Sequence, residues 1–125
     1  MKLAAPFDRV EEVGPLIEAG ADELYCGICT AHWKISGLSP NERMGFCSLN
    51  SFHELKDALS IANSYRIPVF LCFNTYFNKG DFELALKDIA KAIKLGIRGF
   101  VIADLCFIPF IKELDSRCKI ILSCM

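Results

Sequence analysis

A chain of 125 residues is one ordinary domain, well short of the roughly 250 residues that a complete eight-stranded (βα) barrel takes. Its hydrophobic share of 53% is high for a small domain and points to strands buried on both faces. A net charge of −1 excludes a nucleic-acid binder that works through a basic surplus, so the chain carries no direct nucleic-acid signal.

Lys2 to Ala5 reads as a first strand, ended by Pro6. This opening lacks an apolar h-region and is no secretory signal, and no apolar run approaches the ~20 residues that span a membrane. Asp8, with Glu11 three residues on, predicts an Asp form of the capping box. Val10, Val13 and Ile17 then share a helical face, with Pro15 marking a kink or a start near Gly14-Pro15. Gly20 ends this helix, and Glu23 to Cys26 is the second strand. Gly27 to Asn50 is a long connection with Gly37, Pro40, Gly45 and few periodic apolar residues. Connections of this length are either functional, here a substrate-covering loop, or disordered crossovers. His32 beside Trp33 is a candidate lid residue within it.

Ser51 with Glu54 is a clean capping box, and Leu55, Ala58, Leu59 and Ala62 line the inward face of the helix that follows. His53 is a surface residue of that helix. Pro68 to Phe73 is a continuous apolar run, as a central parallel strand requires. The polar loop Asn74 to Gly80 leads to a helix capped by Asp81, with Phe82, Ala85, Leu86, Ile89 and Ile93 inward and Gly96 at its end. Gly99 to Ala103 is the fourth strand. A helix starting near Pro109 and ending by Ser116 precedes the fifth, Lys119 to Ser123. Seven cysteines, with Cys72, Cys106 and Cys124 inside apolar segments, fit reduced thiols in a cytoplasm.

This is an α/β fold of parallel (βα) units over residues 1–125, an incomplete TIM-like barrel of about five strands. The alternative is a flavodoxin-like open sheet. Exposed sheet edges in either case make the chain a candidate homo-oligomer. A non-catalytic α/β module that binds a small molecule or protein and dimerises is the second functional reading.

In parallel α/β folds the site lies at the carboxyl ends of the strands. That rule selects Pro6, Tyr25, Gly27, Asn74, Thr75, Asp104 and Ser123, of which Tyr25, Asn74, Thr75, Asp104 and Ser123 are the candidates for binding substrate. Asn74 stands first, because an amide directly after an apolar run can both donate and accept. Asp104 either orients a substrate or caps the next helix. Tyr25 either stacks on a ligand or belongs to the core. Ser123 has no histidine at a triad spacing, so no serine nucleophile is indicated, and the catalytic residues stay unassigned. Cys26 and Cys29 have the spacing of half a metal site, but no second pair exists, so no metal or cofactor is expected in this chain.

The ordered set Leu3-Ala4-Ala5-Pro6, Glu18-Ala19-Gly20-Ala21-Asp22-Glu23-Leu24-Tyr25-Cys26-Gly27, Phe46-Cys47-Ser48, Phe73-Asn74-Thr75, Ile102-Ala103-Asp104 and Ile121-Leu122-Ser123 resembles the amino-terminal part of the peptidase U32 family. The resemblance implies the front of a longer barrel enzyme, inactive as this fragment alone. It implies a hydrolase or protease like the collagenase-like members, or a relative of members in RNA base or ubiquinone hydroxylation. It also implies an iron–sulfur cluster in a full-length parent, held by four cysteines in a later part of the family's chain.

Overall fold

Short β-branched and aromatic runs alternate here with amphipathic helices. The computed structural model describes residues 1–41 and 48–123. Gly45, Phe46, Cys47 and Cys124 lie outside the described residues. In chain order the elements are β1 (Ala4–Pro6), a 3-10 turn (Val10–Glu12), α1 (Val13–Glu18), β2 (Glu23–Cys26), α2 (Ala31–Ser36), α3 (Phe52–Ser64), β3 (Val69–Phe73), α4 (Lys79–Leu95), β4 (Gly99–Ile102), α5 (Phe107–Leu114) and β5 (Lys119–Leu122). Among the described residues no helix is long and apolar enough to cross a membrane.

The five strands form one open parallel sheet in the order β1-β2-β3-β4-β5. Sequential order with right-handed crossovers places the helices on one face, as in a (βα) barrel. A flavodoxin-like order would instead put β1 between β2 and β3. Leu24 and Cys26 of β2, Val69, Leu71 and Phe73 of β3, and Phe100 and Ile102 of β4 point to the helices and join the core with Leu55, Ala58, Ile89, Ala92, Phe107 and Ile111. The alternate residues Tyr25, Phe70, Cys72, Val101 and Ile121 point to the other, inner face. There Phe70 lies against Gly99, where a Cβ would fall 2.3 Å from the ring, so only glycine leaves room for the aromatic.

Several element ends differ from expectation. Pro6 belongs to β1, which an edge strand tolerates because its missing N–H faces outward. Glu12, not Glu11, folds back at the first helical turn, accepting from the backbone N–H of Asp8 at 3.0 Å and Arg9 at 2.9 Å. Pro15 and Pro109 sit in the first turns of α1 and α5, where no earlier carbonyl needs their N–H, so neither kinks its helix. α4 starts before Asp81, because the Asn78 side chain accepts the Asp81 N–H at 3.0 Å and is the cap.

Four helices end in the same way. After each, one N–H bonds back five residues and the preceding N–H bonds back three: Ala21 to Leu16 with Gly20 to Ile17, Leu38 to Trp33 with Gly37 to Lys34, Ile67 to Ala62 with Arg66 to Asn63, and Ile97 to Ala92 with Gly96 to Ile93. This ending needs a left-handed residue. Gly20, Gly37 and Gly96 supply it at φ 107, 73 and 113°, but α3 uses Arg66 at φ 59°. A side chain pays roughly 1–2 kcal/mol there. Arg66→Gly is therefore expected to raise the urea midpoint by the equivalent of about 0.5–1 kcal/mol, after the entropy of the freer unfolded chain is subtracted. A lower midpoint would show that the arginine side chain holds the turn.

Candidate functional site

The carboxyl end of β2 is shaped by what folds back over it. A Cβ at Gly27 would lie 2.6 Å from Asn41 Nδ2 and 2.7 Å from Ser48 Oγ. Both neighbours are buried, and the Asn41 amide donates to the Ile28 carbonyl and to Ser48 Oγ at 3.5 Å each. Ile28 also pairs with Leu49 in a parallel bridge. The connection between β2 and α3 is thus tied down at both of its ends, and Gly27 is the residue that allows the close approach.

Within this connection stands α2, a short helix without the apolar periodicity that would mark it in the sequence. Its anchor is Trp33, only 1% exposed, whose indole N–H donates to Asp88 Oδ2 of α4 at 2.8 Å. The Trp33 ring meets Phe77 edge-on at 5.9 Å. His32 Nε2 faces the same carboxylate at 3.6 Å, and its Nδ1 lies 3.3 Å from Thr30 Oγ1. Asp88 is 5% exposed. Burial raises its carboxyl above the ordinary range, while the Trp33 hydrogen bond and the charges of His32 and Lys91 pull the other way. Sequence reasoning missed Asp88, although Ala85, Asp88, Ile89 and Ala92 fall on one inward face. A carboxylate inside an apolar stripe was the available signal.

On the inner face at the top of the sheet, Asn74 and Ser123 come together. Asn74 follows β3 on the side of Phe70 and Cys72, and Ser123 follows β5 on the side of Ile121. The Asn74 amide donates to Ser123 Oγ at 3.5 Å, across the end of β4. The other candidates lie apart from this pair. Tyr25 is in register with Phe70, four residues before Asn74, and so sits lower in the sheet. Thr75 has a buried hydroxyl with no hydrogen-bond partner among the described residues and faces a separate cavity beside Tyr76 and Phe77. Asp104 accepts the Cys106 N–H at 3.0 Å and so closes the turn into α5. Both histidines are engaged elsewhere, His32 with Asp88 and His53 with Asp57 at 3.5 Å. Cys26 and Cys29 are packed in the core, and burial pushes the Cys29 thiol up, away from the thiolate that a ligand or nucleophile needs. Among the described residues no group of three or more His, Cys, Asp or Glu could hold a metal ion.

The model of peptidase family U32 matches residues 8–125. The chain belongs to peptidase family U32. Among solved structures it is similar to that of the U32 peptidase Mk0906, with a TM-score of 0.58 over 98% of this chain and 14% identity. At that identity the likeness shows the fold alone. The chain spans about half of that relative, 49% of its length. No curated relative matches it.

For this U32 chain the Trp33–Asp88 contact makes a stability prediction. Asp88→Asn keeps an oxygen for the indole N–H and removes the buried charge, so its melting temperature at neutral pH is expected to equal or exceed wild type. Because the native carboxyl is raised, the cost of ionising Asp88 fades as pH falls, and the gap between variant and wild type should narrow on acidification. Asp88→Leu strands the indole N–H and should cost about 1–3 kcal/mol. Melting curves between neutral and mildly acidic pH check both, and a gap that widens on acidification contradicts the assignment.

Proposed function

We propose that this chain is the amino-terminal half of a (βα) barrel peptidase that binds an extended polypeptide across the carboxyl ends of its strands. The observation that carries this reading is the Asn74–Ser123 pair, two neutral hydrogen-bonding side chains converging on the inner face at that end. Asn74 can donate through Nδ2 to a substrate carbonyl oxygen and accept a peptide N–H through Oδ1, and Ser123 sets the turn of its amide. A donor aimed at a carbonyl oxygen is the group that stabilises charge there during acyl transfer.

In the intact protein, Asn74→Ala is expected to lower hydrolysis of a fluorescent gelatin substrate about 100-fold, with an unchanged melting temperature. Unchanged activity removes Asn74 from the site. Absence of gelatin turnover by the intact wild type would move the reading toward the family's roles in RNA base or ubiquinone hydroxylation. The iron–sulfur cluster of such relatives does not fit the cysteines described here. Cys26, Cys29, Cys72 and Cys118 are buried and Cys106 is exposed, with no ligand set among them. Burial of Cys26, Cys29, Cys72 and Cys118, away from oxidants, is what supports a reducing, cytoplasmic setting.

A second reading rests on β5. Ile121 and Leu122 are 46% and 55% exposed on an edge strand, an apolar surface open to a further strand. On this reading the 125-residue chain is a non-catalytic module that self-associates, and light scattering after size exclusion should give a mass above one copy. A sharp monomer with cooperative unfolding would rule it out.

A further inference from the structure

The polar loop after β3 and the chain from α2 to Ser39 border a cavity of about 380 Å³ between them. Its walls are Trp33, Leu38 and Ser39 on one side, the Ser39 hydroxyl already donating to the Asn41 carbonyl, and Thr75, Tyr76 and Phe77 on the other, with Asp81 in the first turn of α4. Two of the wall residues stand well out into water, Tyr76 at 72% and Leu38 at 46% exposure. The cavity therefore has an apolar, partly aromatic throat and a carboxylate.

The Asp81 carboxylate is open to a ligand among the described residues. The helix cap is Asn78, so the Asp81 side chain is not needed to close the helix start. Among the described residues no cation stands within ion-pair distance of it, unlike Asp88, Asp57 and Asp115, which face His32, His53 and the Arg98–Arg117 pair. A further polar group in the wall, the Thr75 hydroxyl, is buried without a hydrogen-bond partner among the described residues. A hydroxyl can accept from an N–H or donate its own proton, so this one fits a polar occupant.

We infer that this cavity is a subsite for a cationic side chain, lysine or arginine, of a polypeptide substrate. The aliphatic stem of such a side chain packs along Leu38 and Phe77, as long cationic side chains do on apolar surface. Its head carries N–H donors and positive charge to Asp81, and it passes the exposed ring of Tyr76, whose face attracts a cation. Neutral and acidic side chains lack one or both of these matches. The inference rests on the peptidase reading for its polypeptide ligand, since the loop from Asn74 to Phe77 joins the cavity to the Asn74–Ser123 pair.

Binding tests it without turnover, so a failed activity assay and a failed subsite are told apart. Trp33 is the chain's single tryptophan and lines the cavity, which makes its emission a direct reporter. The probes are blocked tripeptides Ala-X-Ala with X as lysine, arginine, norleucine or glutamate. The lysine and arginine peptides are expected to change Trp33 emission saturably and to bind about fivefold tighter than norleucine, the uncharged match in length, with glutamate weaker still. The preference should shrink as salt is raised. Asp81→Asn should bring lysine and norleucine to equal affinity while leaving the melting temperature in place. Equal affinity of the two peptides for wild type overturns the inference and needs no variant. So does a lysine preference that survives Asp81→Asn, or the absence of any saturable change.

Discussion

Parallel strands taken in sequential order, each joined to the next by a right-handed crossover, can carry their helices on one face only. That constraint divides the sheet into two chemistries. On the helix side, Leu24, Leu71, Phe73, Phe100 and Ile102 are shut into a dry core. On the other side the alternation leaves a second apolar layer, Tyr25, Phe70, Cys72, Val101 and Ile121, with no helix among the described residues to cover it. The polar residues that follow β3 and β5 on this side are carried to one level at its upper rim. The Asn74–Ser123 contact is thus a product of strand direction and register, with neither residue recruited by local sequence.

The connection after β2 is held by a different kind of force. Buried carboxylates are expensive unless they are paired, and Asp88 is paired through an indole N–H with a histidine and a lysine nearby. An apolar residue at 88 would pack the helix but leave Trp33 without an acceptor. The arrangement gives up some stability for a fixed position of α2, and with it of Leu38. Gly27 does the same by subtraction, because its missing Cβ is the space that Asn41 and Ser48 fill.

Much of this was legible beforehand. Continuous apolar runs at Val69–Phe73 and Gly99–Ile102 announce buried parallel strands, and Gly20 and Gly96 mark the turns into them. The Ser51 cap of α3 accepts from Glu54 as its spacing implies. What escaped were features set by tertiary contact. α2 has six residues and a single buried one, so no periodicity could reveal it. Arg66 occupies a left-handed turn where composition would ask for glycine. Asn78 and Asp81 both have cap chemistry, and only the backbone path decides for Asn78. For the candidate site, the carboxyl-end rule picks out a level of the sheet, but facing is decided by the parity of each residue along its strand. Parity keeps Asn74 and Ser123 together and turns Thr75 aside.

Pro6 makes the two edges of the sheet unequal. The carbonyl of Leu3 and the N–H of Phe7 bond toward β2, so Ala4 and Pro6 face outward, and Pro6 has no N–H to offer. At the opposite edge Lys119 and Ser123 donate toward β4, which leaves Ile120 and Leu122 with complete donor and acceptor pairs outward. One margin is chemically blunted and the other is a full template. The sheet therefore has a direction of growth: a strand arriving from elsewhere finds its hydrogen-bonding partners beside β5, and the β1 margin is the side on which such addition comes last.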